Sequence, residues 1–542
     1  MFRKKKLVFG TLLFAGGLGL ATTLTNDFEI VKNLEIFSNI FRDVNVNYVD
    51  EIDPEKMMES GLNSMLQYMD PYTVYIPANE LDQFQSSISG HYAGMGAAVI
   101  TVEGYAVITE VYENAPAFKA GLRAGDKLIS ADGKSLKSLS VQDVSSILRG
   151  SPGSKVKVEY QRPGKGNNFV EITREEVFVN NTPFYDILPG DVAYIALTTF
   201  SENAGKNVNK ALLEMKRQKN LKAVILDLRG NTGGLLNEAV NVTNVFVPKG
   251  VQVVSIKGKD KEKQQIYRTL NQTADAELPL VILIDEQSAS ASEIVAGAIQ
   301  DLDRGVIIGQ KSFGKGLVQT TKDLPFGAKL KITTARYYIP SGRCIQATQY
   351  KDGKPLMIAD SLREKFKTQA GRIVLDGGGI LPDIATGTDE LKILINSLNS
   401  NRLFFEFAVD YIQNNKVASP ESFKLEESIF KEFLSFLDRK NFNQLTSTEL
   451  SINNFEKKAK AEGISENINP LLEDVKNVIK KEKIEKLSKY KKEILFELQH
   501  EIAEQIHMKK GALKNSVLFD PEIQIALETL NNRDKYSRIL TK

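Results

Sequence analysis

A chain of 542 residues with 42% apolar and 25% charged residues has an ordinary globular composition and room for roughly two to four domains. Its formal net charge of +2 gives no bulk electrostatic reason to bind nucleic acid or an anionic surface. One cysteine, Cys344, excludes an internal disulfide and CxxC-type sites, and His91, His500 and His507 are too few and too scattered for an HExxH zinc site. No metal and no cofactor is expected.

Arg3, Lys4, Lys5 and Lys6 precede an uncharged run from Leu7 to Leu24. A run of about 18 residues is near the minimum that spans a bilayer as a helix. With its basic flank it predicts a signal sequence or membrane anchor over residues 1–25, the flank staying cytoplasmic and the rest exported. Gly19-Leu20-Ala21 is a weak cleavage signal. The expected location is the periplasmic side of the inner membrane, anchored or released.

Residues 26–89 predict short amphipathic helices, with Ile36, Ile40 and Phe41 on one face and Met57, Met58, Leu62, Met65 and Leu66 on another. Between 90 and 176 the pattern shifts to short β runs, Ala97–Ile100, Ala106–Val111 and Val156–Tyr160, with one helix over 141–149. From 177 to 390 strands and helices alternate: Val192–Leu197, a helix to Gln218, Ala223–Leu228, a helix from Leu235, then strands at 251–256 and 280–284. Such alternation predicts an α/β unit. Residues 391–542 read as helices rich in Lys and Glu, whose charge runs suit a solvated face or the docking of an adaptor or second copy.

Three segments carry candidate chemistry. Strand 280–284 runs into Asp285-Glu286-Gln287-Ser288-Ala289-Ser290-Ala291-Ser292-Glu293 and then an apolar helix. A serine at a strand-to-helix junction meets unpaired N–H groups and a helix dipole that favours negative charge, which suits an oxyanion and equally an ordinary N-cap. Asp227-Leu228-Arg229-Gly230-Asn231-Thr232-Gly233-Gly234 follows a buried-looking strand. Its glycines let backbone amides approach a ligand, or form a plain tight turn. In Lys311-Ser312-Phe313-Gly314-Lys315-Gly316-Leu317-Val318-Gln319, a lysine sits between two glycines in an apolar stretch. Desolvation lowers a lysine's pKa and fits it for general-base work, whereas a solvated turn does not.

RGNTGG, SASASE and FGKGxxQ in this order resemble the carboxyl-terminal processing peptidases, or tail-specific proteases. Thr334–Arg343 (TARYYIPSGR) and Gly379-Ile380-Leu381-Pro382-Asp383 are also similar to that family. The resemblance covers roughly residues 35–390. It implies a Ser-Lys dyad with Ser290 as nucleophile, Lys315 as base and Gln319 orienting the lysine. It further implies oxyanion donors at the amides of Ala291 and Gly233, and a possible supporting acid at Asp301. The implied fold is multidomain: a crotonase-like α/β core with an inserted PDZ domain, N-terminal helices and a C-terminal helical region. Residues 90–176 resemble the family's PDZ domain, with His91 to Ala97 as the carboxylate-binding loop, Gly94, Met95, Gly96 and Ala97 as its peptide-binding residues, and helix 141–148 walling the groove.

The implied partners are protein or peptide substrates with free C-termini, a membrane at the N-terminal segment, and an adaptor or second copy on the helical regions, with no nucleic acid. Two other classes compete. A catalytically dead PDZ scaffold has no use for both Ser290 and Lys315. An acyl-CoA enzyme of the shared fold has no use for a PDZ module or an export segment. Residues 350–376 look like an insertion before the last core strand.

Overall fold

The computed structural model describes residues 27–259, 264–440 and 447–541. The expected anchor, residues 1–25, lies outside the described residues, and among those described no helix is long and apolar enough to cross a membrane. The chain divides into two compact units, Met1–Tyr75 and Ile76–Lys542.

In the first unit residues 27–47 are helical, as is Pro54–Gln67, which starts where the Asp53 carboxylate accepts the amides of Glu55 and Lys56. Leu66 is buried, whereas Phe28, Leu34, Phe37 and Ile40 are exposed.

The second unit is built on a six-stranded sheet in the order Phe184–Leu188, Val192–Ala196, Ala223–Asp227, Leu280–Ile284, Val306–Gly309 and Ile384–Ala385. The first pair is antiparallel and the rest are parallel. Strand side chains alternate between two buried faces. Val224, Leu226, Leu280, Ile282 and Ile284 pack with the helices Ala204–Gln218, Leu236–Phe246 and Ala291–Asp301. Ala223, Ile225, Val281 and Leu283 pack on the other face with Ile523, Ala526, Leu527, Leu530 and Tyr536. Burial on both faces is why the central strands Ala223–Asp227 and Leu280–Ile284 are almost entirely apolar. The second face is thus covered by helices Pro521–Asn531 and Arg533–Thr541, from the far C-terminal end of the chain. The Tyr536 hydroxyl meets the Leu280 amide at 2.9 Å.

Residues 91–178 form the β-rich module, with strands Ala97–Val102, Tyr105–Val111, Lys127–Ala131, Lys155–Gln161 and Asn167–Thr173 in one sheet and the helix Val141–Leu148 beside it. That helix is started by a reciprocal cap between Ser140 and Asp143. The segment 350–376 contributes two hairpins, Thr348–Lys351 with Lys354–Met357 and Lys365–Lys367 with Ile373–Leu375.

Beyond Ala385 the described residues hold eight helices. Phe404, Phe407, Phe433 and Phe436 form a stacked and edge-on aromatic core there, with Ile494, Leu498 and Ile502. The helix Leu403–Asn414 approaches the β-rich module, where a Cβ on Gly125 would meet Val409 at 2.9 Å, and Arg402 donates to the Thr101 carbonyl at 2.7 Å.

The helix Lys491–Ser516 carries a group of titratable side chains. Burial pushes the Glu497 carboxyl up to about 7, helped by Asp520 and opposed by Arg229. Glu501 also rises to about 7, chiefly through burial. A carboxyl whose folded pKa exceeds its unfolded value holds its proton more tightly when folded. The stability it contributes is present in full below the ordinary carboxyl pKa, and is lost as pH rises through the folded value. Glu497→Gln removes this ionisation. The variant is expected to melt above the wild type at pH 8, by the equivalent of about 1–3 kcal/mol, and to match it near a pH of about 4.5. Equal melting of the two proteins at pH 8 would count against a half-buried Glu497 that ionises at a cost.

Candidate active site

The candidate site forms where the parallel strands Ala223–Asp227, Leu280–Ile284 and Val306–Gly309 end and their following loops converge. In open α/β sheets this carboxyl edge is where ligands bind.

Ser290 caps the helix Ala291–Asp301 with φ 55° and ψ −110°, a conformation that a residue with a Cβ rarely adopts. The strain is held by neighbours on both sides. Behind Ser290, Asp285 accepts the amides of Gln287 and Ser288, and the Ser288 hydroxyl donates to the Leu228 carbonyl at 2.8 Å. Ahead of it, Glu293 accepts the Ser290 amide at 2.8 Å.

Glu293 is fully buried and does more than cap the helix. Its Oε1 accepts the Ser312 hydroxyl at 2.6 Å and the Gly314 amide at 2.7 Å. Its Oε2 accepts the Lys315 amide at 2.8 Å, on the same oxygen that holds Ser290. Burial pushes this carboxyl up to about 6, against the four hydrogen bonds that favour its ionised form. One carboxylate therefore ties the SASASE segment to the loop that carries Lys315.

Lys315 is half-buried, and its loop is threaded through a narrow passage. A Cβ on Gly314 would lie 2.3 Å from the Ala347 Cβ, and one on Gly316 would lie 2.8 Å from the Gln346 amide nitrogen. Gly314 also has φ 87°. The two glycines around the lysine are a requirement of space and of backbone angle. The Lys315 carbonyl accepts the Tyr337 hydroxyl, and the Gly316 amide donates to Gln346 at 2.6 Å.

The RGNTGG loop packs against Ser290 from the other side. The Gly233 position is so close that an added Cβ would meet the Ala289 carbonyl oxygen at 2.7 Å and the Ser290 Cβ at 2.9 Å. In this conformation the Gly233 amide donates to Asn231 Oδ1 at 2.9 Å, so that bond has to break before the amide can face an oxyanion. Ala291 is the first residue of its helix, where a backbone N–H has no intrahelical acceptor.

Gln319 lies on the strand Leu317–Asp323, where its Nε2 donates to the Thr333 hydroxyl at 3.2 Å. Asp301 is at the far end of the helix that Ser290 caps, about 16 Å along its axis. There it accepts the Ser341 amide at 2.9 Å and pairs with the buried Arg343 at 2.8 Å. The structure thus brings Ser290, Ala291, Gly233 and the Lys315 loop together, and puts Asp301 into a separate buried ion pair.

In the β-rich module, His91–Gly94 forms a strand paired with Glu175–Phe178, where the sequence suggests a loop from His91 to Ala97. Gly96 turns the chain at φ 79°, and Met95 packs into the module's core. Tyr92, Met95, Ala97, Ala98, Val99, Tyr112, Ser145, Leu148 and Arg149 line a cavity of about 230 Å³ between the strand Ala97–Val102 and the helix Val141–Leu148. The Arg149 guanidinium stacks on the Tyr92 ring at 4.8 Å from its centroid.

Two contributors escape a reading of the sequence. Glu293 has a local signal, since a lone glutamate three residues into a helix that continues with an apolar run from Ile294 to Ile299 is a capping position or a buried polar centre. The second is the pair of carboxylates at Asp520 and Glu522, which reach Arg229 across 293 residues of sequence in the case of Glu522 and have no local signal at all.

Residues 191–352 match peptidase family S41, residues 107–162 match a PDZ domain, and residues 394–530 match the C-terminal helical domain of probable PDZ-proteases. The carboxy-terminal-processing protease of Bartonella bacilliformis is 34% identical over 373 residues, spanning 67% of this chain and 85% of the relative. The carboxy-terminal processing protease CtpA of Bacillus subtilis is 31% identical over 339 residues, spanning 62% of this chain and 71% of the relative. Among solved structures, a photosystem II D1 C-terminal processing protease is 28% identical with a TM-score of 0.36, covering 65% of this chain and 92% of the other. The chain belongs to the carboxy-terminal-processing proteases of peptidase family S41, and is a serine-type peptidase with a PDZ domain and a C-terminal helical domain.

Proposed function

We propose that this peptidase cuts exported proteins whose C-terminal tails enter the PDZ groove, using Ser290 and Lys315 as a catalytic dyad on a crotonase-like core. The observation that carries the dyad is the shared Glu293 oxygen, which accepts both the Ser290 and the Lys315 amides. In the proposed reaction Lys315 Nζ takes the proton from Ser290 Oγ as that oxygen attacks the scissile carbonyl carbon. The tetrahedral oxyanion is held by the Ala291 amide and the RGNTGG loop. When the C–N bond breaks, the lysine gives its proton to the leaving amine, and water then hydrolyses the acyl-serine ester. Gln319 is proposed to orient the lysine during this cycle. The mostly parallel sheet with helices on its faces supports the crotonase-like reading. The basic flank and apolar run of residues 1–25 support placement at the periplasmic face of the inner membrane.

Tail recognition is testable with an unstructured protein carrying either a free or an amidated C-terminus, its fragments weighed by mass spectrometry. The loop Gly94-Met95-Gly96-Ala97 is proposed to hold the free carboxylate while the tail adds as a strand to Ala97–Val102. Amidation is expected to weaken binding by about 1.5–3 kcal/mol, the usual size for a hydrogen bond to a charged group. Equal cleavage of both substrates would show that the groove does not read the terminus.

A further inference from the structure

Arg229, the first residue of the RGNTGG loop, is held by carboxylates from two separate parts of the chain. Its Nε and Nη2 donate to Asp227 at 3.0 and 2.6 Å. Its Nη1 lies 2.8 Å from Glu522 Oε2 and 2.9 Å from Asp520 Oδ2. Asp520 and Glu522 sit at the start of the helix Pro521–Asn531, which covers the second face of the core sheet. Asp227 is fixed in turn by the Tyr194 hydroxyl at 2.8 Å, and Glu522 also accepts the Thr386 hydroxyl. The loop continues from this clamp through Gly230, whose amide donates to Asp285 at 2.9 Å, to Gly233 against Ser290. A second contact reaches the SASASE side, where Glu286 accepts Asn396 and pairs with Lys392 at 3.1 Å, both on the helix Asp389–Ser400. The C-terminal helical domain therefore grips both loops that flank the nucleophile.

We propose that Asp520 and Glu522 are positioning residues for peptide-bond cleavage, which act through Arg229 to hold the RGNTGG loop in register with Ser290. The C-terminal helical domain then completes the catalytic unit and is more than a docking appendage. The inference rests on the proposed roles of Ser290 and the RGNTGG loop. Its physical basis is bidentate, charge-assisted bonding: Arg229 can be oriented on Asp227 alone, but its position along the sheet face is set by the Asp520 and Glu522 carboxylates. A loop displaced by about 1 Å at a reacting centre loses on the order of 10²-fold in rate.

The test is Asp520→Asn with Glu522→Gln in the full chain. Asparagine retains the N-cap that Asp520 provides to the Glu522 and Ile523 amides, so the helix start survives. The expected result is a kcat lower by about 10–100-fold, with KM and tail-peptide affinity near wild type, measured below the variant's own melting transition, which loss of the ion pairs lowers. Combining the pair with Arg229→Gln is expected to cost no more than Arg229→Gln alone, because partners acting through one group are not additive. Glu522→Gln by itself, which leaves Asp520 and its cap untouched, should move kcat in the same direction by a smaller factor. An unchanged kcat, a loss confined to KM, or losses that multiply with Arg229→Gln would each overturn the proposal. If Ser290→Ala still cleaves, the reading of the site itself fails; if Ser290→Ala is inactive and the carboxylate pair is not needed, only the clamp fails.

Discussion

Ser290→Ala and Lys315→Ala are each expected to abolish peptide cleavage, by roughly 10⁴–10⁶-fold in kcat, and the double variant to be no worse than either. The equality follows from the proposed chemistry, because a nucleophile and its base act as one unit. Lys315→Arg should fail as completely, since a guanidinium cannot give up its proton near neutral pH. The base must be neutral to act, so the wild-type rate should rise with pH through a single ionisation that His91→Ala leaves in place. Steady-state cleavage of an unstructured substrate from pH 7.5 to 10, above the range in which Glu293 titrates, checks all of these. A Lys315→Ala protein that still turned over, with the chemical step lost on changing His91, would sink the dyad.

A second large effect is expected at Gly233. Its φ of 103° lies in the region that suits glycine, and a Cβ there would lie within 3.0 Å of Ala289, Ser290 and Ala291 atoms, two of which are backbone. Neither side can yield without moving the nucleophile or the helix start. Gly233→Ala should lower kcat by at least about 10²-fold while tail-peptide affinity stays near wild type. Gly61→Ala is the matched control. It lies in the helix Pro54–Gln67 with nothing within 4 Å of the added Cβ, and alanine favours a helix by about 1 kcal/mol over glycine. That variant should cleave normally. Wild-type kcat in Gly233→Ala would show that the RGNTGG loop does not pack on the working serine.

Much of the core was legible because its signals are local. The apolar runs at 223–228 and 280–284 mark strands buried on both faces, and the helix starting at Leu236 follows its strand at the distance an α/β unit requires. The glycines on either side of Lys315 and at Gly233 were visible as motif. Their reason was not, because it is the approach of Ala347, Gln346 and Ser290 from elsewhere in the chain. The strand His91–Gly94 was missed for a related cause: its partner Glu175–Phe178 is more than 80 residues away, and short strands are made by pairing more than by propensity.

Residue counts and short motifs alone supply the composition limits, the exclusion of an internal disulfide and of an HExxH pair, and the three segments that meet at the candidate site. These depend on residue type and on spacings of a few residues, which a linear chain displays directly. Tertiary structure alone decided that Glu293 joins Ser290 to Lys315, that Asp301 is diverted to Arg343, and that Asp520 and Glu522 hold Arg229. The physical reason is the cost of burying charge. A carboxylate removed from water must find donors wherever the packed fold presents them, and those donors are chosen by proximity in space and not by distance along the chain.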